Sequence, residues 1–295
     1  MMDQAEQLRQ RVSQQIQYSG STRVIAVTSG KGGVGKTSFS VNLAIQFSKK
    51  GKRVVIIDAD FGLSNVEIML GIRPEYNMAD LIYNDKNIDD IITKGPLDIG
   101  FISGGSGVQD MVNLDKEQIR VMISKLVRLD TLADVIIIDT GAGISDTVLE
   151  FVLSSPEVVI VATPEPTSIT DAYSLLKTVN RNKDFTAVDK KIQIVSNRVG
   201  SKEEGKEIYE KLNMVSTKFL NIQMEYLGAI MQDSNASKAV IEQKPVSLAF
   251  PNSVSTRCYQ EISNKMLELD EVKEEPREGI AKFFLDFIRH QKRNK

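Results

Sequence analysis

Two lysines, a threonine and three aspartates carry the chemistry this sequence can do. Lys31, Lys36 and Thr37 sit in the stretch 29–37, which reads Ser-Gly-Lys-Gly-Gly-Val-Gly-Lys-Thr. An apolar run from Val24 to Val27 precedes it, and a helical pattern from Ser38 to Lys50 follows. A glycine-rich turn between a buried strand and a helix start makes a phosphate cradle. Its backbone N–H groups point at the anion and the helix dipole favours negative charge there. Gly30, Lys31, Gly32, Gly33, Val34, Gly35, Lys36, Thr37 and Ser38 are therefore the expected nucleotide contacts. Lys36 is placed for the outer phosphates and Thr37 for Mg²⁺. Asp58 and Asp139 close two later Val/Ile runs, 54–57 and 135–138, where metal-facing acids belong. Asp60, two residues past its strand, is the expected group to orient an attacking water.

Gly30, Gly32 and Gly35 also satisfy G-x-G-x-x-G, and Asp58 lies where a ribose-binding acid would in a dinucleotide fold. Three features favour a nucleoside triphosphate with Mg²⁺ instead. Lys36-Thr37 completes the longer G-x-x-x-x-G-K-T pattern, Lys31 adds a second cation to the loop, and Asp139 supplies a further acid. Lys31 then needs a role of its own. A lysine so early in the loop points away from its own phosphates, so its charge is better used in trans, on the nucleotide of a second copy. That arrangement is a two-fold dimer with nucleotide sandwiched between subunits, and the γ-phosphate controls pairing.

The totals narrow the class. A chain of 295 residues buries one large α/β core with some appendages. A formal net charge of -2 gives no global field for nucleic acid. Cys258, the single cysteine, can form neither an internal disulfide nor an iron–sulfur centre by itself. It is expected as a small buried thiol, in keeping with a reducing cytosol. His290, the single histidine, lies in the C-terminal tail, which leaves no histidine base for the core. No apolar run reaches the roughly 18 residues of a membrane span. The N-terminus lacks the apolar core of a signal peptide.

Unbroken Val/Ile runs alternating with helical patterns predict a doubly wound α/β domain over 23–269, with a mostly parallel sheet covered on both faces. Short strands are expected at Ile91-Ile92 and over 99–102, and an amphipathic helix over 115–129. Further helices are expected from Ser145 to Leu153 and from a cap at Thr167 or Ser168 through Leu176. Ligands in such sheets lie beyond the carboxyl ends of the strands. The Gly30 loop, Asp60, Asp139, Glu165 and Asn197 all fall there. Asn197 carries the donor and acceptor to read an adenine edge, or else serves as a turn residue.

The two ends differ from this middle. Within residues 1–22, Ala5, Leu8, Val12 and Ile16 form one thin apolar stripe, followed by a flexible joint over 19–22. The segment is either a frayed helix or a detachable one that folds on a partner. Residues 270–279 are acidic on balance, contain Pro276 and read as a linker. In 280–295, Ile280, Phe283, Phe284, Phe287 and Ile288 share one helix face, with Lys282 and Arg289 flanking it. That pattern favours a membrane-interface or partner-docking helix over one packed on the core.

These residues resemble the MinD/ParA family of deviant Walker-A ATPases. Residues 30–37 match its signature-lysine loop at every position. Residues 57–65 are similar to its switch I, and 138–141 to its Walker B and switch II. Thr163-Pro164-Glu165 and Asn197-Arg198 also match, and the resemblance spans 23–295. It implies a P-loop fold, Mg²⁺-dependent ATP hydrolysis that needs Asp60, and an ATP-dependent homodimer in which Lys31 acts in trans. It implies base contacts from Asn197, Arg198 and the Asp233 loop, with Glu165 near the partner copy's nucleotide. It also implies that pairing releases the tail to the inner face of the cell membrane. Asp3-Gln4-Ala5-Glu6-Gln7-Leu8-Arg9 is similar to the D-Q-A-x-x-L-R activator motif of the FlhG branch, which regulates flagellar number. That implies stimulation of FlhF, a GTPase of the signal-recognition-particle type, through Asp3, Gln4, Leu8 and Arg9. Flagellar C-ring proteins are implied as further partners. A cell-division-site regulator of the same family is the alternative, and the N-terminal motif disfavours it. A DNA-partitioning ATPase would need a basic patch that this chain does not advertise.

Overall fold

The computed structural model describes residues 22–60, 65–105, 115–183, 185–187, 190–271 and 279–293. Its first half runs β1 (Arg23–Ser29), α1 (Lys36–Lys49), β2 (Val54–Ala59), α2 (Asn65–Leu70), α3 (Met78–Tyr83), α4 (Ile88–Ile91), β3 (Thr93–Lys94) and β4 (Gly100–Ser103). Two helices, α5 (Lys116–Leu126) and α6 (Leu129–Leu132), lead to β5 (Val135–Ala142) and α7 (Asp146–Ser154). The second half continues through β6 (Glu157–Ala162), α8 (Pro166–Asn180), β7 (Lys191–Val199), α9 (Lys202–Leu220) and β8 (Glu225–Met231). It closes with α10 (Ser234–Ile241), α11 (Val246–Ala249), α12 (Val254–Glu271) and α13 (Gly279–Arg293).

Among the described residues, eight strands form one sheet in the order β3-β4-β2-β5-β1-β6-β7-β8. Only the edge strand β3 runs antiparallel, against β4. Successive side chains on a strand point to opposite faces, so an unbroken apolar run needs cover on both. β2 receives it. Val54 and Ile56 pack with Phe39, Leu43 and Phe47 of α1 and with Met266 of α12. Val55 and Ile57 pack in a second cluster with Met122 and Ile123 of α5 and Phe151 of α7. The doubly wound architecture is as the sequence predicts.

Local chemistry moves some boundaries. The strand expected at Ile91-Ile92 is a helix end, because Asn87 and Asp90 form a capping box that starts α4. One helix expected over 115–129 is divided into α5 and the single turn α6. α8 is capped by neither Thr167 nor Ser168. Pro166 takes the first helical position after Glu165, and the Ser168 hydroxyl instead accepts the Thr163 N–H at 3.0 Å.

The tail is the largest departure. The sequence favours membrane or partner docking over packing on the core for Ile280, Phe283, Phe284, Phe287 and Ile288, and here they pack on the core, none more than 4% exposed. They pack into the second cluster, with Val24 of β1, Leu126 of α5 and Phe151 of α7. Phe151 lies 4.5 Å from Phe287 and 5.9 Å from Phe283, ring centre to ring centre. His290 Nδ1 lies 3.2 Å from the Ser154 hydroxyl, at the far end of α7. An amphipathic stripe suits lipid and protein equally, and this groove is assembled from segments far apart in sequence. The N-terminal segment expected to act on a partner and most of the expected acidic linker lie outside the described residues.

A carboxylate fixes the start of the docked helix. Asp130 of α6 accepts the Ile280 N–H at 3.0 Å, where the positive end of the α13 dipole favours an anion. Gly279 opens the helix at φ 68, and a Cβ there would stand 2.7 Å from Asp130 Oδ2. Removing such a cap costs about 1 kcal/mol, roughly a fivefold change in an equilibrium. Asp130→Ala should therefore speed amide hydrogen exchange across 280–290 about fivefold and leave α1 unchanged. Parent-like exchange in α13 would show that the cap does not hold it.

Candidate active site

β1 delivers the cradle. Its chain leaves the sheet at Ser29, and α1 starts at Lys36 with Gly35 as its left-handed cap at φ 95. Asn197 explains why Gly35 has no side chain, since a Cβ there would meet the Asn197 amide nitrogen at 2.4 Å. That nitrogen donates to the Val34 carbonyl at 2.7 Å. The Val34 carbonyl, an acceptor that an anion in the loop would otherwise meet, is thereby held by a donor. At the other end, a Cβ on Gly30 would fall 2.1 Å from the Asp171 backbone of α8. The cradle is thus wedged between β7 and α8.

Two acids, Asp139 and Asp60, act on the lysine that opens α1, and Asp58 stands beside them. β2 and β5 are parallel neighbours with Asp58 opposite Asp139, so the two carboxyls stand side by side at the carboxyl ends. Both are buried. The Asp60 N–H donates to Asp58 Oδ1 at 3.0 Å, and the Asp60 carboxylate lies beside Gly141. Asp139 Oδ1 accepts the Ser40 hydroxyl at 2.7 Å, while its buried Oδ2 has no hydrogen-bond partner. Burial, with Asp139 nearby, pushes the Asp58 carboxyl up to about 8. Burial pushes Asp139 up to about 6, opposed by the hydroxyls of Thr37 and Ser40 and by the Lys36 charge. Burial also lowers the Lys36 ammonium, against the pull of Asp139 and Asp60. Two desolvated carboxyls, an orphaned oxygen and the Thr37 hydroxyl suit a hard divalent cation with oxygen ligands. Thr37 would hold Mg²⁺, with Asp58 and Asp139 acting on it.

The remaining expected residues divide. Lys31 stands apart from that cluster, with its ammonium on the Thr167 hydroxyl at 2.9 Å. Glu165 is exposed at the same rim and accepts the Thr163 hydroxyl. Asn197 is buried, its oxygen accepting the Arg198 N–H at 3.0 Å, so much of its amide serves the loop. Asp233 caps α10 through the Asn235 N–H and binds Ser255 through its other oxygen, so its carboxylate is already committed. The Ser38 hydroxyl is bonded to the buried Tyr259. Sequence reasoning missed Ser40 and Thr167. Ser40 lies one helical turn past Lys36, a spacing that signals a shared face. Nothing in the sequence announces Thr167.

The raised carboxyls link stability to pH. In the unfolded chain both ionise near 3.8, whereas in the folded chain they keep protons to about 8 and about 6. The folded state binds more protons over that interval, so metal-free stability falls as pH rises from about 4 towards 8. Asp58→Asn removes the larger part of this. Its Tm without Mg²⁺ should exceed the parent's at pH 8 and match it at pH 4. A variant no more stable than its parent at pH 8 would contradict the assignment.

Comparison with known proteins agrees with this geometry. Residues 20–267 match the ParA family model, described as a NUBPL iron-transfer P-loop NTPase. The antiactivator FleN of Pseudomonas aeruginosa is 39% identical over 244 residues, 83% of this chain and 86% of that protein. The flagellum site-determining protein YlxH of Helicobacter pylori is 34% identical over 275 residues, 92% of this chain and 91% of that one. The septum site-determining protein MinD of Pyrococcus horikoshii, solved with Mg-ADP, shares the fold with a TM-score of 0.66 at 20% identity. That match covers 85% of this chain and 98% of the other. The chain belongs to the ParA/MinD family of P-loop ATPases, which use ATP with Mg²⁺.

Proposed function

We propose that the chain is an ATP-switched regulator of flagellar number and placement. Lys31 carries the reading. Lys36 interacts with the acidic cluster, whereas the Lys31 ammonium makes an exposed hydrogen bond to the Thr167 hydroxyl of α8. From there it is placed to stabilise the triphosphate of a facing copy, as an arginine finger does. ATP then pairs two copies, and Asp60 orients the water that ends the paired state. The flagellar assignment is supported by the names of the relatives FleN and YlxH.

The docked tail gives pairing an output. Burying each of its large apolar side chains is worth about 1.5–3 kcal/mol, so α13 does not leave its groove unaided. A bilayer interface offers equivalent burial, and Lys282 and Arg289 flank the stripe for anionic headgroups. Two tails held together bind where one does not, which confines membrane recruitment to the ATP dimer. The Asp3–Arg9 motif supports stimulation of an FlhF-type GTPase in that state, with flagellar C-ring proteins as further partners.

Asp60→Ala tests the switch. Hydrolysis should fall about a hundredfold or more. The variant with ATP should accumulate as a dimer that sediments with anionic vesicles. A variant that stays monomeric in ATP and remains in the supernatant would sink the reading.

A further inference from the structure

Ser40 is a serine in the middle of a helix whose hydroxyl does not serve that helix. Such hydroxyls commonly bond the carbonyl one turn back. This one crosses to another element and donates to Asp139 Oδ1 at 2.7 Å. Ser40 is fully enclosed, so it is no phosphate contact. It lies three residues past Thr37 and four past Lys36, which places all three on one face of α1. Asp139 gains a donor on one oxygen and keeps the other buried and without a hydrogen bond. The terminal torsion of an aspartate is broad, so nothing intrinsic fixes its carboxylate plane.

We infer that Ser40 is a positioning residue for the metal-facing acid: it pins one oxygen of Asp139 and so presents the other to Mg²⁺. The inference rests on the reading of Asp139 as a metal-facing acid. Partners of this kind commonly set metal affinity by 10- to 100-fold. Ser40 holds one oxygen of one acid among several candidate ligands, so the lower end applies here.

The test is binding, read with a fluorescent ADP analogue on the full chain at a series of Mg²⁺ concentrations. Ser40→Ala should raise the Mg²⁺ needed for half-maximal enhancement about tenfold, while binding without Mg²⁺ stays at the parent's level. Ser40→Thr keeps the hydroxyl and should restore the parent's requirement. Thermal unfolding of each variant separates this from loss of fold, and Ser40→Cys, nearly isosteric with a weak donor, should fall between if Ser40→Ala does not fold. An unchanged Mg²⁺ requirement in a folded Ser40→Ala overturns the inference. So does an equal loss with and without Mg²⁺, which would make Ser40 a support of the loop. Asp139→Asn run in parallel separates the premises: if it too leaves the requirement unchanged, the metal reading of Asp139 itself is what fails.

Discussion

The structure depends on placing carboxyl groups together out of water. Asp58 and Asp139 stand opposite each other on neighbouring parallel strands, both buried, with Asp60 just above. Left alone, that cluster is unfavourable, and the raised carboxyls record the cost. One buried lysine relieves it in part. A divalent cation gives the carboxyls the partner that burial denies them, so the fold holds in its empty state a desolvation cost that its ligand offsets. The parallel sheet makes this possible, because only strands running the same way bring their ends, and hence these acids, to one edge.

The same edge connects to the rest of the molecule through short paths. β5 carries Asp139 and passes through Gly141 to Ser145, whose hydroxyl caps α7. α7 presents Phe151 to Phe283 and Phe287 and Ser154 to His290. One element thus begins beside Gly141, next to the Asp60 carboxylate, and forms a wall of the groove that holds the tail. A second path runs from Gly30 into α8, which presses on the loop and holds the lysine proposed to act in trans. In the proposed switch both paths report one event, because a change at the cradle displaces helices that are already in contact with it.

What could be read from the sequence follows from how local each signal is. The cradle was legible because its residues are contiguous and each has one physical task. Asp58 and Asp139 were legible because buried parallel strands announce their own ends. The docking of α13 was not. Its stripe is plain, but the groove draws on Val24, Met122, Leu126 and Phe151, which only the fold assembles. Asn197 and Asp233 show the same limit from the other side. The type of Asn197 suits a base edge and the resemblance implies a base contact from the Asp233 loop, while the structure gives Asn197 the Val34 carbonyl and Asp233 Ser255 as partners that only the fold supplies. Ser40 reads as one more small helix residue until β5 is laid beside it.

The central claim is that Lys31 serves a neighbouring copy's triphosphate. The most direct measurement is solution mass by light scattering, on the parent and on Lys31→Ala, each with ADP and with a non-hydrolysable ATP analogue. The account predicts that mass doubles only for the parent with the ATP analogue, and that Lys31→Ala stays monomeric although it still binds nucleotide. A Lys31→Ala protein that doubles its mass as its parent does would contradict it.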